Sequence, residues 1–86
     1  EYALSQNYPN PFNPSTTIRF ALKERAGATL AVYDVLGRVV RTLVNGELSA
    51  GEHQIVFNTG ALASGVYFYR LTAGQFVQTR KMIVVK

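Results

Sequence analysis

The chain of 86 residues predicts an all-β fold, a small sandwich of six to seven antiparallel strands. Two observations carry this. Turn signals recur about every 8–12 residues, and the runs between them alternate apolar and polar side chains. No amphipathic stretch long enough for a helix competes with them.

The elements follow in order. Residues 6–14 hold three prolines and three asparagines, and the alternating run Thr17–Leu22 begins just beyond them. Prolines fix φ and push the residue before them towards extended or turn shapes. Residues 1–15 are therefore read as an entrance segment packed on the edge of a sandwich made by residues 16–86, with Tyr8 and Phe12 as apolar anchors. As a local motif it reads as a structural latch ahead of a receptor contact. In Thr17–Leu22 the alternation puts Ile18, Phe20 and Leu22 on one face. Glu24–Gly27 breaks the run, Thr29–Tyr33 turns Leu30 and Val32 inward, and Asp34–Arg38 is a turn at Gly37.

Val39–Val44 is the next strand. Leu36–Val44 has some helical periodicity, but its β-branched pairs and flanking glycines weigh against a helix. Asn45-Gly46 reads as a hairpin turn and Ser49-Ala50-Gly51 as a second break. His53–Asn58 aligns His53, Ile55 and Phe57. A small-residue loop, Thr59–Gly65, leads to Val66–Leu71, and Ala73-Gly74-Gln75 turns the chain into a last strand, Phe76–Val85.

Composition excludes several classes. Hydrophobic residues at 48% and charged residues at 16% describe a globular chain and not a disordered tail. With no cysteine, neither a disulfide nor a thiolate metal site can form. Met82–Val85, the longest aliphatic run late in the chain, falls far short of a membrane span. Glu1-Tyr2-Ala3 reads as the cut edge of something longer. The net charge of +4 invites a nucleic-acid reading, but the basic residues are scattered along the chain and describe a solvated strand surface.

The reactive residues form no catalytic constellation, so no enzyme and no cofactor are expected. His53 is the lone histidine, and its neighbour Glu52 points to the opposite strand face, which makes a structural histidine the simpler reading. The acids Glu1, Glu24, Asp34, Glu47 and Glu52 sit in turns or at the terminus without metal-ligand spacing. Tyr67, Tyr69 and Leu71 share one face and read as core. Phe68 and Arg70, with Tyr33, leave open an exposed platform for sugars or bases.

Four stretches together carry a resemblance. They are Tyr8–Pro14 (YPNPFNP), Val32–Arg38 (VYDVLGR), Leu62–Leu71 (LASGVYFYRL) and Arg80–Lys86 (RKMIVVK). In that order and spacing, over Leu4 to Lys86, the chain resembles the type A C-terminal sorting domain of the type IX secretion system of Bacteroidetes. The resemblance implies an immunoglobulin-like sandwich at the C-terminus of a larger exported protein. It also implies delivery through an outer-membrane translocon to the cell surface or medium, and removal by a sortase-like surface peptidase. Family positions map onto Pro9, Asn10 and Pro11, onto Gly37, onto Leu62, Gly65 and Tyr67, and onto the basic-apolar end. PNPFNPSTTI is longer than the family's minimal PNP.

An edge strand with free N–H and C=O groups is a ready docking site. Recognition by the translocon is accordingly expected at the last strand, Arg80, Lys81, Met82, Ile83, Val84, Val85 and Lys86, on a monomer that neither binds nucleic acid nor spans a membrane. The alternatives are a non-catalytic immunoglobulin-like module for surface attachment or carbohydrate binding, and a structural spacer.

Overall fold

The computed structural model describes Glu1–Lys86 as seven strands in two sheets, without a helix. β1 (Ala3–Leu4), β2 (Ser15–Leu22) and β5 (Gly51–Asn58) form one sheet in the order β1-β2-β5. β3 (Ala26–Tyr33), β4 (Val39–Leu48), β6 (Gly65–Ala73) and β7 (Phe76–Val84) form the other in the order β4-β3-β6-β7. Every strand pairing is antiparallel. The chain changes sheet at 23–25, at 49–50 and at 59–64, so both sheets are assembled from strands distant in sequence. No helix is long and apolar enough to cross a membrane.

Alternation in the sequence becomes burial in the sandwich. Ile18, Phe20 and Leu22 from one sheet join Leu30, Val32, Tyr67, Tyr69 and Leu71 from the other in a core cluster of 15 buried residues. Met82 and Val84 of β7 complete it at the edge of the larger sheet. His53 lies half-buried, stacked on Phe20 with ring centroids 5.3 Å apart, and its Nε2 sits 2.9 Å from the Ser49 carbonyl. Those contacts give the single histidine a structural role in holding the β4–β5 corner.

β4 departs from the sequence reading in two ways. The register between β3 and β4 slips twice, leaving first Leu43 and then Val40 without a residue opposite. Each slip is a bulge, which bends the strand and shifts its inward parity by one residue. Val40, Leu43, Val44 and Leu48 consequently all pack against the core. Their spacing of three, one and four residues imitates a helix face, and this is the origin of the helical periodicity in Leu36–Val44. Asn45-Gly46 is not a hairpin turn: both residues pair with β3, Asn45 opposite Thr29 and Gly46 opposite Ala28. The strand beyond belongs to the other sheet, so no hairpin partner exists for that dipeptide, and the corner falls at Ser49-Ala50.

Ala3–Leu4 pairs with Ala21 and Phe20 as a short strand that the sequence pattern did not single out. Residues 5–14 then run from the small sheet to the outer edge of β7, and we call them the clasp. Tyr8 exchanges two backbone hydrogen bonds with Thr17, each 3.0 Å. Further on, the Phe12 amide donates to the Ile83 carbonyl, and the Val85 amide donates to the Phe12 carbonyl, both at 3.1 Å. The three X-Pro bonds of the clasp are cis.

Tyr8 is not an apolar anchor: it is 78% exposed. Its backbone is committed to β2, which turns its ring to solvent. Phe12 is buried, edge-to-face against Phe57 at 6.1 Å. The second anchor is polar. Tyr69 donates from its hydroxyl to the Ser5 carbonyl at 2.7 Å and accepts from the Asn7 amide at 2.8 Å. The buried Asn7 side chain donates to Thr16 Oγ1 at 3.0 Å and to the Pro9 carbonyl at 3.2 Å, while Thr16 Oγ1 donates to that same carbonyl at 2.7 Å. No buried side-chain polar atom lacks a partner, so the cluster is stabilising despite its burial.

Truncation of Phe12 to Ala removes a buried aromatic and is expected to cost about 3 kcal/mol or more, a fall of roughly 15 °C in melting temperature. Thermal denaturation checks it; an unchanged melting temperature would return the clasp to the class of linkers. Tyr69→Phe leaves the buried Asn7 N–H unpaired and frees the Ser5 carbonyl, and should cost about 1–3 kcal/mol. Burial also raises the Tyr69 pKa above its ordinary 10.0, against the opposing pulls of the Asn7 N–H and Arg80. A folded-state pKa above the unfolded one means that this contribution is complete below pH 10.0 and is lost as pH rises beyond it. Chemical denaturation from pH 8 to about 11 should show that loss in the native chain and a shallower one in Tyr69→Phe.

Candidate recognition site

The motif positions, scattered along the chain, gather at one end of the sandwich. β6 begins at Gly65 opposite Val84, and β2 begins at Ser15 opposite Asn58. The loop 59–64 joins these two places, and Tyr33 lies opposite Phe68, so the 34–38 turn projects from the same end. The β6–β7 turn at Gly74 marks the opposite end. Pro9–Pro11, Gly37, Leu62–Tyr67 and the final residues thus all meet at the Gly65 end.

Each motif owes its form to a local hydrogen-bond demand. In the 34–38 turn, Asp34 Oδ1 accepts from the amides of Leu36 (2.9 Å) and Arg38 (3.0 Å), and Oδ2 accepts from Arg38 Nε at 2.8 Å. The Arg38 amide above all, with help from its guanidinium and the Leu36 amide, holds the Asp34 carboxyl below the usual carboxylate range, against desolvation, the second-largest influence. Gly37 has φ 82°, a left-handed conformation in which a Cβ would be strained. The turn leaves Val35 and Leu36 at its tip, 67% and 73% exposed.

The loop 59–64 is tied down from three sides. Its Leu62 packs against the core, the Leu62 amide donates to the Thr59 carbonyl at 3.0 Å, and the Thr59 amide donates to the Pro14 carbonyl at 2.8 Å. Tyr67 reaches back from β6 to donate to the Ala63 carbonyl at 2.8 Å. Gly65, at φ 152°, lets the chain swing from the loop into β6 between those two contacts. A leucine, a glycine and a tyrosine in this spacing therefore form one loop-fixing unit: a core plug, a swing point and a hydroxyl tether.

The final residues divide by face. Met82 and Val84 are buried in the core, and Arg80 turns inward far enough for its Nε to donate to the Leu4 carbonyl at 2.6 Å. Lys81, Val85 and Lys86 are exposed and Ile83 is half-buried. Lys86 is held by its amide to Ser64 Oγ at 2.9 Å and by its Nζ to the Gly60 carbonyl at 3.0 Å.

The edge of β7 is not open along this stretch. Its outward carbonyl at Lys81 accepts from Gln6 Nε2 at 2.6 Å, and its outward amide at Ile83 donates to Asn10 Oδ1 at 2.9 Å. Phe12 takes the next two groups, the Ile83 carbonyl and the Val85 amide. The outward groups at Val77 and Thr79, nearer the Gly74 end, and the Lys81 amide meet no bond from outside the sheet. The expected free edge at Arg80–Lys86 is thus occupied by the clasp, whose side chains and backbone satisfy it as a further strand would.

Sequence reasoning missed Gln6, Asn7, Thr16 and Tyr69, which hold the clasp in place. The only signal was Tyr69 itself: a core tyrosine must find a partner for its hydroxyl, but the partners are backbone groups of Ser5 and Asn7, which residue type does not mark. Phe68 and Tyr33 do not stack with each other; Arg70 lies over the Tyr33 ring instead, 4.8 Å from its centroid. A shallow open concavity of about 390 Å³ on the small sheet, lined by Arg19, Glu52 and Gln54 among others, lies away from the motif positions.

Comparison with known proteins agrees with this geometry. The family model of the secretion system C-terminal sorting domain matches residues 6–86, which begins at the clasp and takes in all seven motif positions and the terminal stretch. No curated protein matches the chain significantly. The matched span runs from the clasp to the last residue of the fold, and it identifies this chain as a member of the C-terminal sorting domain family of type IX secretion, the signal that marks a protein for export to the cell surface or medium.

Proposed function

We propose that the type IX machinery reads this domain at the Gly65 end, through the outward residues of the terminal stretch Arg80–Lys86, and that residues 1–15 serve as an entrance segment that fixes that stretch in place. The observation that carries the reading is the division of β7. Met82 and Val84 hold the strand to the core, and the clasp satisfies its edge, so Lys81, Ile83, Val85 and Lys86 are presented in one rigid arrangement. A signal that must work behind unrelated cargo needs such fixed features, because a flexible tail would lose affinity to ordering.

Pro9, Asn10 and Pro11 take part as the arch that caps Ile83, and Gly37, Leu62, Gly65 and Tyr67 by shaping the two neighbouring loops. The domain acts as a non-catalytic monomer. A sortase-like peptidase would cut ahead of Tyr2, which itself packs against the core, so that the sandwich is left whole. The carbohydrate-module reading is weaker. A sugar platform needs an exposed coplanar aromatic pair, yet Tyr2–Phe76 and Phe20–His53, which are near-coplanar, pack against the core or within it.

The test is a reporter carrying an export signal at its N-terminus and this domain at its C-terminus, expressed in a type IX-competent bacterium. Truncation after Val84 removes Val85 and Lys86 but keeps every buried core residue. The truncated domain should melt at most ~10 °C lower, since it loses three hydrogen bonds that are near the surface. The reporter should then accumulate in the periplasm. Undiminished surface delivery of the truncated, folded fusion overturns the terminal reading.

A further inference from the structure

The outer face of the four-stranded sheet carries a row that crosses all four strands. Val39 lies opposite Tyr33, Tyr33 opposite Phe68, and Phe68 opposite Lys81. One step towards the Gly65 end, Val66 lies opposite Ile83. Val85 continues the face along β7, and the 34–38 turn adds Val35 and Leu36 beside Val39. Of the eight large hydrophobic residues that are exposed, five lie here: Val35, Leu36, Val39, Val66 and Val85. A soluble fold scatters such residues singly; a contiguous exposed group marks an interaction surface.

Charge is distributed unevenly around this face. Of the five acids in the chain, four (Glu1, Glu24, Glu47 and Glu52) sit at or next to the Gly74 end. The fifth, Asp34, is spent on the Arg38 guanidinium and the turn amides. The rim of the apolar row is basic: Arg38, Arg70, Lys81 and Lys86. Two of these are held in place, Arg38 by Asp34 at 2.8 Å and Arg70 by Thr79 Oγ1 at 3.3 Å with its guanidinium over Tyr33.

We propose that this face is the docking surface for a protein component of the secretion machinery, one that presents an aliphatic or aromatic centre rimmed by carboxylates. The inference rests on the sorting reading and extends it from the terminal stretch to β3, β4 and the 34–38 turn. Fixed guanidiniums and an aromatic row favour a protein partner, because they match placed carboxylates and packed side chains; a fluid anionic surface needs neither. Aromatic and aliphatic side chains at the centre, with charges at the rim, are the composition of a specific protein interface. The rim charges steer the encounter and make it sensitive to salt.

Matched exposure supplies the controls. Val39 in the row is 57% exposed; Val77, also 57%, lies on the same sheet face but beyond the row towards the Gly74 end, and Val56, at 67%, lies on the other sheet. In the reporter fusion, Val39→Glu and Lys81→Glu should each lower surface delivery about tenfold relative to Val56→Glu and Val77→Glu. All four should melt alike, and Leu36→Gln serves as a second face variant if Val39→Glu melts lower than its controls. The purified domain should bind detergent-solubilised outer membranes of competent cells, lose that binding with Val39→Glu or in high salt, and fail to bind membranes from a translocon-deleted strain. Equal delivery by face and control variants overturns the proposal. If truncation after Val84 blocks delivery while Val39→Glu does not, the terminal reading stands and the face falls. Binding to phosphatidylglycerol vesicles with the same Val39 and Lys81 dependence overturns the protein partner in favour of a lipid surface.

Discussion

The bridge from the Tyr69 hydroxyl to Ser5 and Asn7 is the contact on which the rest of the arrangement depends. A tyrosine at the centre of β6 is buried for its ring, but its hydroxyl must then be satisfied without water. The Asn7 amide and Ser5 carbonyl supply one donor and one acceptor, and in doing so bring residues 5–14 across the open side of the sandwich. From that fixed point the clasp reaches Thr16 on one sheet and the β7 edge on the other. Without it, Phe12 would have no defined path to Phe57, and the edge of β7 would be exposed between Lys81 and Val85. Exposed edges recruit strands indiscriminately, which is a hazard for a domain carried through the periplasm on unrelated cargo.

Much of the fold was legible in the sequence because burial on a pleated strand follows a period of two. Ile18, Phe20 and Leu22, then Leu30 and Val32, then Tyr67, Tyr69 and Leu71 all face inward as the alternation requires. The reading failed where the backbone departs from that period. Two bulges in β4 convert alternation into a three-and-four spacing, and only the pairing with β3 reveals it. Asn45-Gly46 failed for a different reason. Its turn propensity is local, whereas eight residues of β3 pair along β4 through and beyond the dipeptide, and tertiary pairing outweighs a preference of that size.

The turns of the candidate site were legible in their residues, but their arrangement was not. Asp34–Arg38 and Leu62–Tyr67 are recognisable as turns from their glycines, and their hydrogen bonds follow from residue type. That four such stretches converge could not be read from the chain, since convergence depends on which strands share a sheet and in which order. Nor could the division of Arg80–Lys86 be read from an apolar-rich run, where Met82 and Val84 look no more buried than Ile83 and Val85. Facing direction is settled by the partner strand, and the register of β7 on β6 decides it.

The occupied edge also constrains how such a signal can be read. Strand addition was the natural expectation for a terminal strand, yet from the Lys81 carbonyl to the Val85 amide the outward backbone groups that a new strand would use already bond to Gln6, Asn10 and Phe12. A partner that added a strand there would first have to displace the clasp, breaking these bonds and exposing Phe12. A partner that approaches the face displaces nothing, because Val39, Tyr33, Phe68 and Lys81 project from the sheet whether or not the edge is covered. The clasp therefore does two jobs with one set of bonds: it closes the Lys81–Val85 stretch of the edge to strand addition and leaves the outer face free for side-chain contacts. A sorting signal needs that asymmetry, since its function lies in being bound by one partner and ignored by others.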